Sequence, residues 1–179
     1  MTPIAATEQA IVARLSEALT APGARHPVVE VCAWPDAPLD FRAIHPVGTV
    51  LVLYRGTQFA HNATAGQRIT WQEQFEIALL ARTLRSHDGA AVASGIDTGV
   101  YGLVDSVRRA LTGWVPPMAC GQVQLAGIEF AEYAEGVWQY ALRCAVPMTT
   151  VADRPRPAGP WAVDDEDAAP PLVRRNFQQ

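Results

Sequence analysis

Trp138, Tyr140, Leu142, Cys144, Val146 and Met148 occupy every second position of one stretch of the chain. No other feature constrains the fold as strongly. A period of two puts all these apolar side chains on one face of an extended strand, which then needs neighbours in a sheet. The run Val123 to Tyr133 also reads as a strand, and Glu135-Gly136 between the two fits a tight hairpin turn. Upstream, Ile69, Trp71, Phe75, Ile77 and Leu79 alternate with Thr70, Gln72, Gln74, Glu76 and Ala78. A helix would also align Trp71, Phe75 and Leu79, but the alternation favours a long strand. Thr49 to Tyr54 is a continuous apolar run, the pattern of a strand buried on both faces. Val28 to Trp34 is rich in β-formers, and Pro35 stops it. Residues 35–47 are a turn-rich connector. Gly56 to Gln67 is a small, polar loop in which Phe59 is the one large apolar residue.

Two stretches carry helical spacing instead. Thr2-Pro3 supplies an N-cap and a first helical residue, and Ile4, Ile11, Val12, Leu15, Ala18 and Leu19 follow on one face until Pro22-Gly23. Val100, Leu103, Val104, Val107 and Leu111 form the second face, capped by Asp97 or Thr98 and closed by Gly113 and Pro116-Pro117. A Gly-, Ala- and Ser-rich loop, 85–99, leads into it. The expected fold class is α+β, a mostly antiparallel sheet flanked by two main helices. It occupies residues 1–150. From 151 to 179 the composition shifts to five prolines and the acidic run Asp164-Asp165-Glu166-Asp167. That is an extended C-terminal arm, punctuated by Trp161, Leu172, Val173 and Phe177.

Charged residues are only 18% of the 179, against about 25% in an average domain. Part of this surface is therefore not meant for water. All fourteen basic residues are arginine, which GC-rich codon usage accounts for. A net charge of −4 and a pI near 5.5 argue against a dedicated nucleic-acid binder. The start Met1-Thr2-Pro3-Ile4 is not a signal peptide, and no run reaches the ~18 apolar residues of a membrane helix. The expectation is a cytoplasmic chain with no membrane contact. Cys32, Cys120 and Cys144 lie far apart, as reduced, buried, inert thiols.

Chemistry is sparse. The chain has no P-loop, GxGxxG, GxSxG or HExxH. His26, His45, His61 and His87 all fall in connectors, and His87-Asp88 lacks a second ligand pair. Glu73, Glu76, Glu129 and Glu132 read as exposed strand-face acids rather than an acid/base pair. No catalytic residue, metal or cofactor is expected. Arg108 and Arg109, with Arg82 and Arg85 nearby, could face an acidic partner through planar, bidentate contacts. Pro157-Ala158-Gly159-Pro160 matches PxxP but reads as a stiff linker.

Several segments, taken in order, resemble a known family. They are Glu30-Val31-Cys32-Ala33-Trp34-Pro35-Asp36, Phe41-Arg42-Ala43-Ile44-His45-Pro46 running into Gly48 to Val52, Phe75 to Arg85, Val100 to Pro117, and Val137-Trp138-Gln139-Tyr140. The set resembles the tail terminators (tail completion proteins) of Mu-like phages and prophages, over roughly residues 4 to 150. The loop 86–99 and the arm depart from that pattern. The resemblance implies an α/β subunit in a homohexameric ring that caps the tail tube. Such a ring stops polymerisation of the tube, and of the sheath in contractile tails, and joins the tail to the neck. The expected partners are the chain itself, tube, sheath and a neck or connector protein, with DNA only passing through the lumen. The expected location is the tail–neck junction of the virion, after assembly in the host cytoplasm.

A ring subunit gives faces to its neighbours and should be poor in charge, as this chain is. On this reading the loop 56–67, with its exposed Phe59, meets the tube or its neighbour ring. The arm anchors Trp161, Leu172, Val173 and Phe177 dock on a neighbouring subunit, on the sheath or on their own domain, and Arg108 and Arg109 join the interface. The competing readings are a neck or head–tail connector protein, a small hydrolase using a Glu or Cys, and a binding module using the PxxP arm.

Overall fold

The computed structural model describes residues 2–20, 30–35, 48–60, 68–82 and 99–151. Helix α1 spans Pro3–Thr20. Thr2 Oγ1 accepts the Ala5 N–H at 3.3 Å, the cap expected from the sequence. Ile11, Leu15 and Leu19, four apart, are its buried stripe. Helix α2 spans Val100–Leu111 and buries Val100, Leu103, Val107, Ala110 and Leu111. Its N-cap is Gly99, without a side-chain cap. This corrects the expectation of Asp97 or Thr98, which lie outside the described residues. At its other end the Ala110 carbonyl, one of the helix's orphan acceptors, takes the Arg14 Nε–H of α1 at 3.2 Å.

The strands are β1 (Glu30–Ala33), β2 (Thr49–Phe59), β3 (Arg68–Ala81), β4 (Gln124–Ala134) and β5 (Val137–Val151). They form one sheet in the order β1-β2-β3-β5-β4. Only β1 and β2 run parallel; the other pairs are antiparallel. This is the expected α+β architecture. Glu135 and Gly136 both have positive φ, 51° and 78°, which makes the β4–β5 hairpin a tight turn of the primed kind. Residues 152–179, with Trp161, Leu172, Val173, Phe177 and the PxxP, lie outside the described residues. So do the histidines and most of the loop 86–99.

Register explains the core. Val52, Ile77 and Leu142 stand side by side on β2, β3 and β5, and all are fully buried. Both helices cover this face: α1 lies over β1 and β2, and α2 over β3 and β5. On the other face Leu51, Ala78 and Ala141 form a second aligned, buried row. Thr49 to Val52 are therefore buried on both faces, as the apolar run predicts.

Two further expectations need correction. First, β2 does not end at Tyr54. A bulge between Tyr54 and Gly56 absorbs the break, and Thr57, Gln58 and Phe59 go on to pair with Glu73, Gln72 and Trp71. Partner pairing overrides the poor strand propensity of this segment. Second, Glu73 is not an exposed strand-face acid. It shares the helix-side face of β3 with Phe75 and is only 4% exposed.

Thr49 is fully buried, and its Oγ1 has no hydrogen-bond partner among the described residues. Thr49→Val keeps the shape and removes that unmet group. It is expected to stabilise the protein by about 1 kcal/mol, a rise in Tm of about 2–4 °C, readable by thermal denaturation.

Candidate functional site

The row Val52–Ile77–Leu142 has a fourth member, Ile128 on β4. The first three are sealed, yet Ile128 is 42% exposed. The helices run out before the sheet does. Phe130 beside Tyr140 is 51% exposed, and Tyr133 beside Trp138 is 55% exposed.

Two bulges in β4 produce this face. Register shifts occur between Leu125 and Gly127 and between Phe130 and Glu132. Each bulge inserts one residue and resets the alternation. Leu125, Ile128, Phe130 and Tyr133, spaced three, two and three apart, thereby pair with Cys144, Leu142, Tyr140 and Trp138 on a single side. Strict alternation would have sent Phe130 and Tyr133 to opposite sides. The same resets keep Glu129 and Glu132 together opposite Ala141 and Gln139 on the other face.

The exposed rings form a continuous shelf. Tyr133 lies 4.6 Å from Trp138, Phe130 lies 6.0 Å from Trp138 and 5.6 Å from Tyr140, and Tyr101 of α2 meets Tyr140 edge-on at 6.0 Å. These are ordinary edge and tilted contacts between aromatic rings. The hydrogen bond with Tyr101, then burial, raise the Tyr140 phenol above its usual 10. Beside the shelf runs the free edge of β4, since β4 ends the sheet. Among the described residues no strand pairs with its outer side. The edge thus sets unpaired backbone groups beside exposed apolar rings, the two features that make a strand edge prone to association.

The reverse face carries charge. Arg143 pairs with Glu129 and, at 3.7 Å, with Glu76, which in turn meets Arg55 at 3.7 Å. The arginines and Glu129 are exposed, so each pair is of small energetic weight. Glu76 between them is half-buried, not the exposed acid expected from the sequence. Glu73 and Glu76 point to opposite sides of β3, so they form no catalytic pair. Glu73 anchors a bulge instead. Its Oε1 accepts Trp71 Nε1–H at 2.6 Å and its Oε2 accepts the Thr57 hydroxyl at 2.6 Å. Thr57 Oγ1 lies 2.5 Å from the Tyr54 hydroxyl, which donates to it. Burial, ahead of the neighbouring Glu73, pushes the Tyr54 phenol up.

Phe59, expected at an interface, is 69% exposed at the end of β2, its ring 6.4 Å from that of Trp71. It borders an open cavity of about 360 Å³ with Trp71, Met148 and Cys120. Arg108 and Arg109 are exposed on α2, and each holds Asp105 at 2.7 Å. The Arg108 hydrogen bond leads in holding the Asp105 carboxyl below its usual 3.8. The structure thus places Phe59 and the arginine pair on separate elements, away from the β4 shelf. Sequence reasoning missed the shelf because bulges hide its period. The available signal was three large apolar residues, Ile128, Phe130 and Tyr133, that fit neither period two nor a helix.

Of the cysteines, only Cys144 is buried; Cys32 is half-buried and Cys120 exposed. Burial pushes the Cys144 thiol up to about 12. Iodoacetamide on the native protein is expected to modify Cys120 at least about tenfold faster than Cys144, checked by peptide mass mapping. Among the described residues no group of acidic, His and Cys side chains could hold a metal ion. No helix there is long and apolar enough to cross a membrane.

The family model described as Gp37 protein matches residues 11–164. No curated protein matches the chain.

Proposed function

The chain belongs to the Gp37 protein family, a phage-associated family, and from that premise we propose that it is a structural virion subunit, the tail terminator. Six copies close into a ring on the end of the finished tail tube. The ring halts addition of tube, and of sheath where the tail contracts, and offers its far side to the neck. DNA passes through the lumen, and the role requires no cofactor, membrane or catalysis.

The observation that carries this reading is the β4 flank: an open strand edge beside an uncovered aromatic shelf on a chain of low charge. A closed ring repeats one heterologous contact, and such contacts are apolar and charge-poor at their centre. Phe59 and its cavity, lined also by Trp71, Met148 and Cys120, lie at the Met148 end of β5, away from the Trp138–Tyr140 end that carries the shelf, and suit a second contact, to the tube. Arg108 and Arg109 would join an interface only by exchanging Asp105 for a neighbour's acid.

The test is mass in solution by light scattering, with and without tube protein. A hexamer, or a monomer that becomes hexameric on the tube, is the expected result. A stable monomer indifferent to tube overturns the reading. Cross-linking to the portal side instead of the tube makes the chain a neck connector.

A further inference from the structure

The open edge of β4 has a complement within the chain itself. Residues 165–179 lie beyond the span matched by the family model. They include Leu172-Val173-Arg174-Arg175-Asn176-Phe177, a short run with apolar and basic residues and no proline. In an extended strand Val173, Arg175 and Phe177 share one side, and Leu172, Arg174 and Asn176 share the other.

β4 offers a different chemistry on each side of its edge. One side is the shelf of Phe130, Tyr133 and Trp138; the other carries Glu129 and Glu132. A strand laid on this edge with Val173 and Phe177 toward the shelf buries both against rings. Arg175 then lies over aromatic faces, a favourable cation–π position. Arg174 falls on the side of Glu129 and Glu132. Pairing two copies of β4 edge to edge has the opposite electrostatics, because it brings Glu129 and Glu132 of both copies together.

Reach is sufficient. β5 ends at Val151, and Trp138 stands thirteen residues back along it, about 43 Å of strand. The chain from 152 to 171 spans up to about 66 Å when extended. A tether of this length holds its end near its own domain at about millimolar effective concentration.

We propose that Leu172–Phe177 adds to the open edge of β4 in its own subunit as a sixth strand of the sheet. The proposal does not depend on the tail terminator reading. In a ring subunit, this docking would cover the edge until a neighbour displaces it.

The test compares the full chain with one ending at Pro171, by amide hydrogen exchange across Gln124–Ala134. The full chain is expected to exchange the outward-facing β4 amides at least about tenfold more slowly, with β3 and β5 amides equal in both. A synthetic peptide of residues 168–179, added to the truncated chain, is expected to restore the protection. In the full chain, Arg174→Glu should lose it and added Glu132→Arg should recover it, which keeps the test decisive if truncation impairs folding. Equal β4 exchange in the full chain, the truncated chain and Arg174→Glu overturns the proposal. Protection that vanishes on dilution from micromolar to nanomolar places the segment on a neighbouring copy and overturns docking within the subunit.

Discussion

Phe130→Glu combined with Tyr133→Glu is expected to abolish ring assembly while leaving a folded subunit. Both side chains are more than half exposed, so folding loses little beyond their ring contacts with Trp138 and Tyr140, about 0.5–1.5 kcal/mol each. Assembly loses far more. Apolar anchors at the centre of an interface are worth about 2 kcal/mol or more apiece, so the pair weakens association about a thousandfold or more. With Glu129 and Glu132 already on the opposite face of β4, the new carboxylates make both sides of its edge acidic. Light scattering with tube protein reads the loss, and thermal denaturation confirms the fold. Unchanged assembly would move the subunit contact away from β4. Arg109→Ala is the companion variant, since it tests α2 as an interface without touching the shelf.

Glu73→Ala is expected to destabilise the sheet as strongly as truncating one of its buried apolar side chains. It strips the acceptor from Trp71 Nε1–H and from the Thr57 hydroxyl in a site only 4% exposed, and leaves a cavity as well. The cost should be about 3–5 kcal/mol, a fall in Tm of about 10 °C or more. Glu73→Gln retains an oxygen acceptor and should cost about 1–2 kcal/mol. The Trp71 indole gives a second readout, because losing its acceptor alters its fluorescence. A Glu73→Ala protein that melts with the parent would mean that water or a rearranged side chain satisfies these donors.

The sheet was legible in the sequence because its long strands keep the period. Trp71 to Leu79 and Trp138 to Met148 alternate, and alternation survives wherever one face is sealed by helices. The parts that were not legible are those where a bulge breaks the period. Gly56 lets β2 continue through Thr57–Phe59, which composition alone assigns to a loop. In β4 the extra residues realign Ile128, Phe130 and Tyr133 on one side, so the shelf is a product of register and not of local pattern. Glu73 was misread for a related reason. Its neighbours Gln72 and Gln74 disguise a carboxylate on the apolar side, and its partners Thr57 and Tyr54 come from another strand. Phe59 was legible as an exposed aromatic. The absence of an enzyme signature in the sequence remains an expectation that the ring proposal accommodates without relying on it.

The strand order also governs how the protein is made. β3 pairs with β2 on one side and with β5 on the other, yet β5 begins only at Val137. A ribosome adding about 5–20 residues per second needs several seconds to go from the end of β3 to the end of β5. Throughout that interval the central strand has one bare backbone flank, and Phe75, Ile77 and Leu79 on its face lack the β5 neighbours that later complete the core. Nascent chains stalled between Ala81 and Val137 should therefore be sticky, chaperone-bound species, and overproduction of truncated forms ending there should yield inclusion bodies. Because β4 precedes β5 in the chain but pairs only with β5, β3 waits for the whole hairpin to be made before its second flank closes.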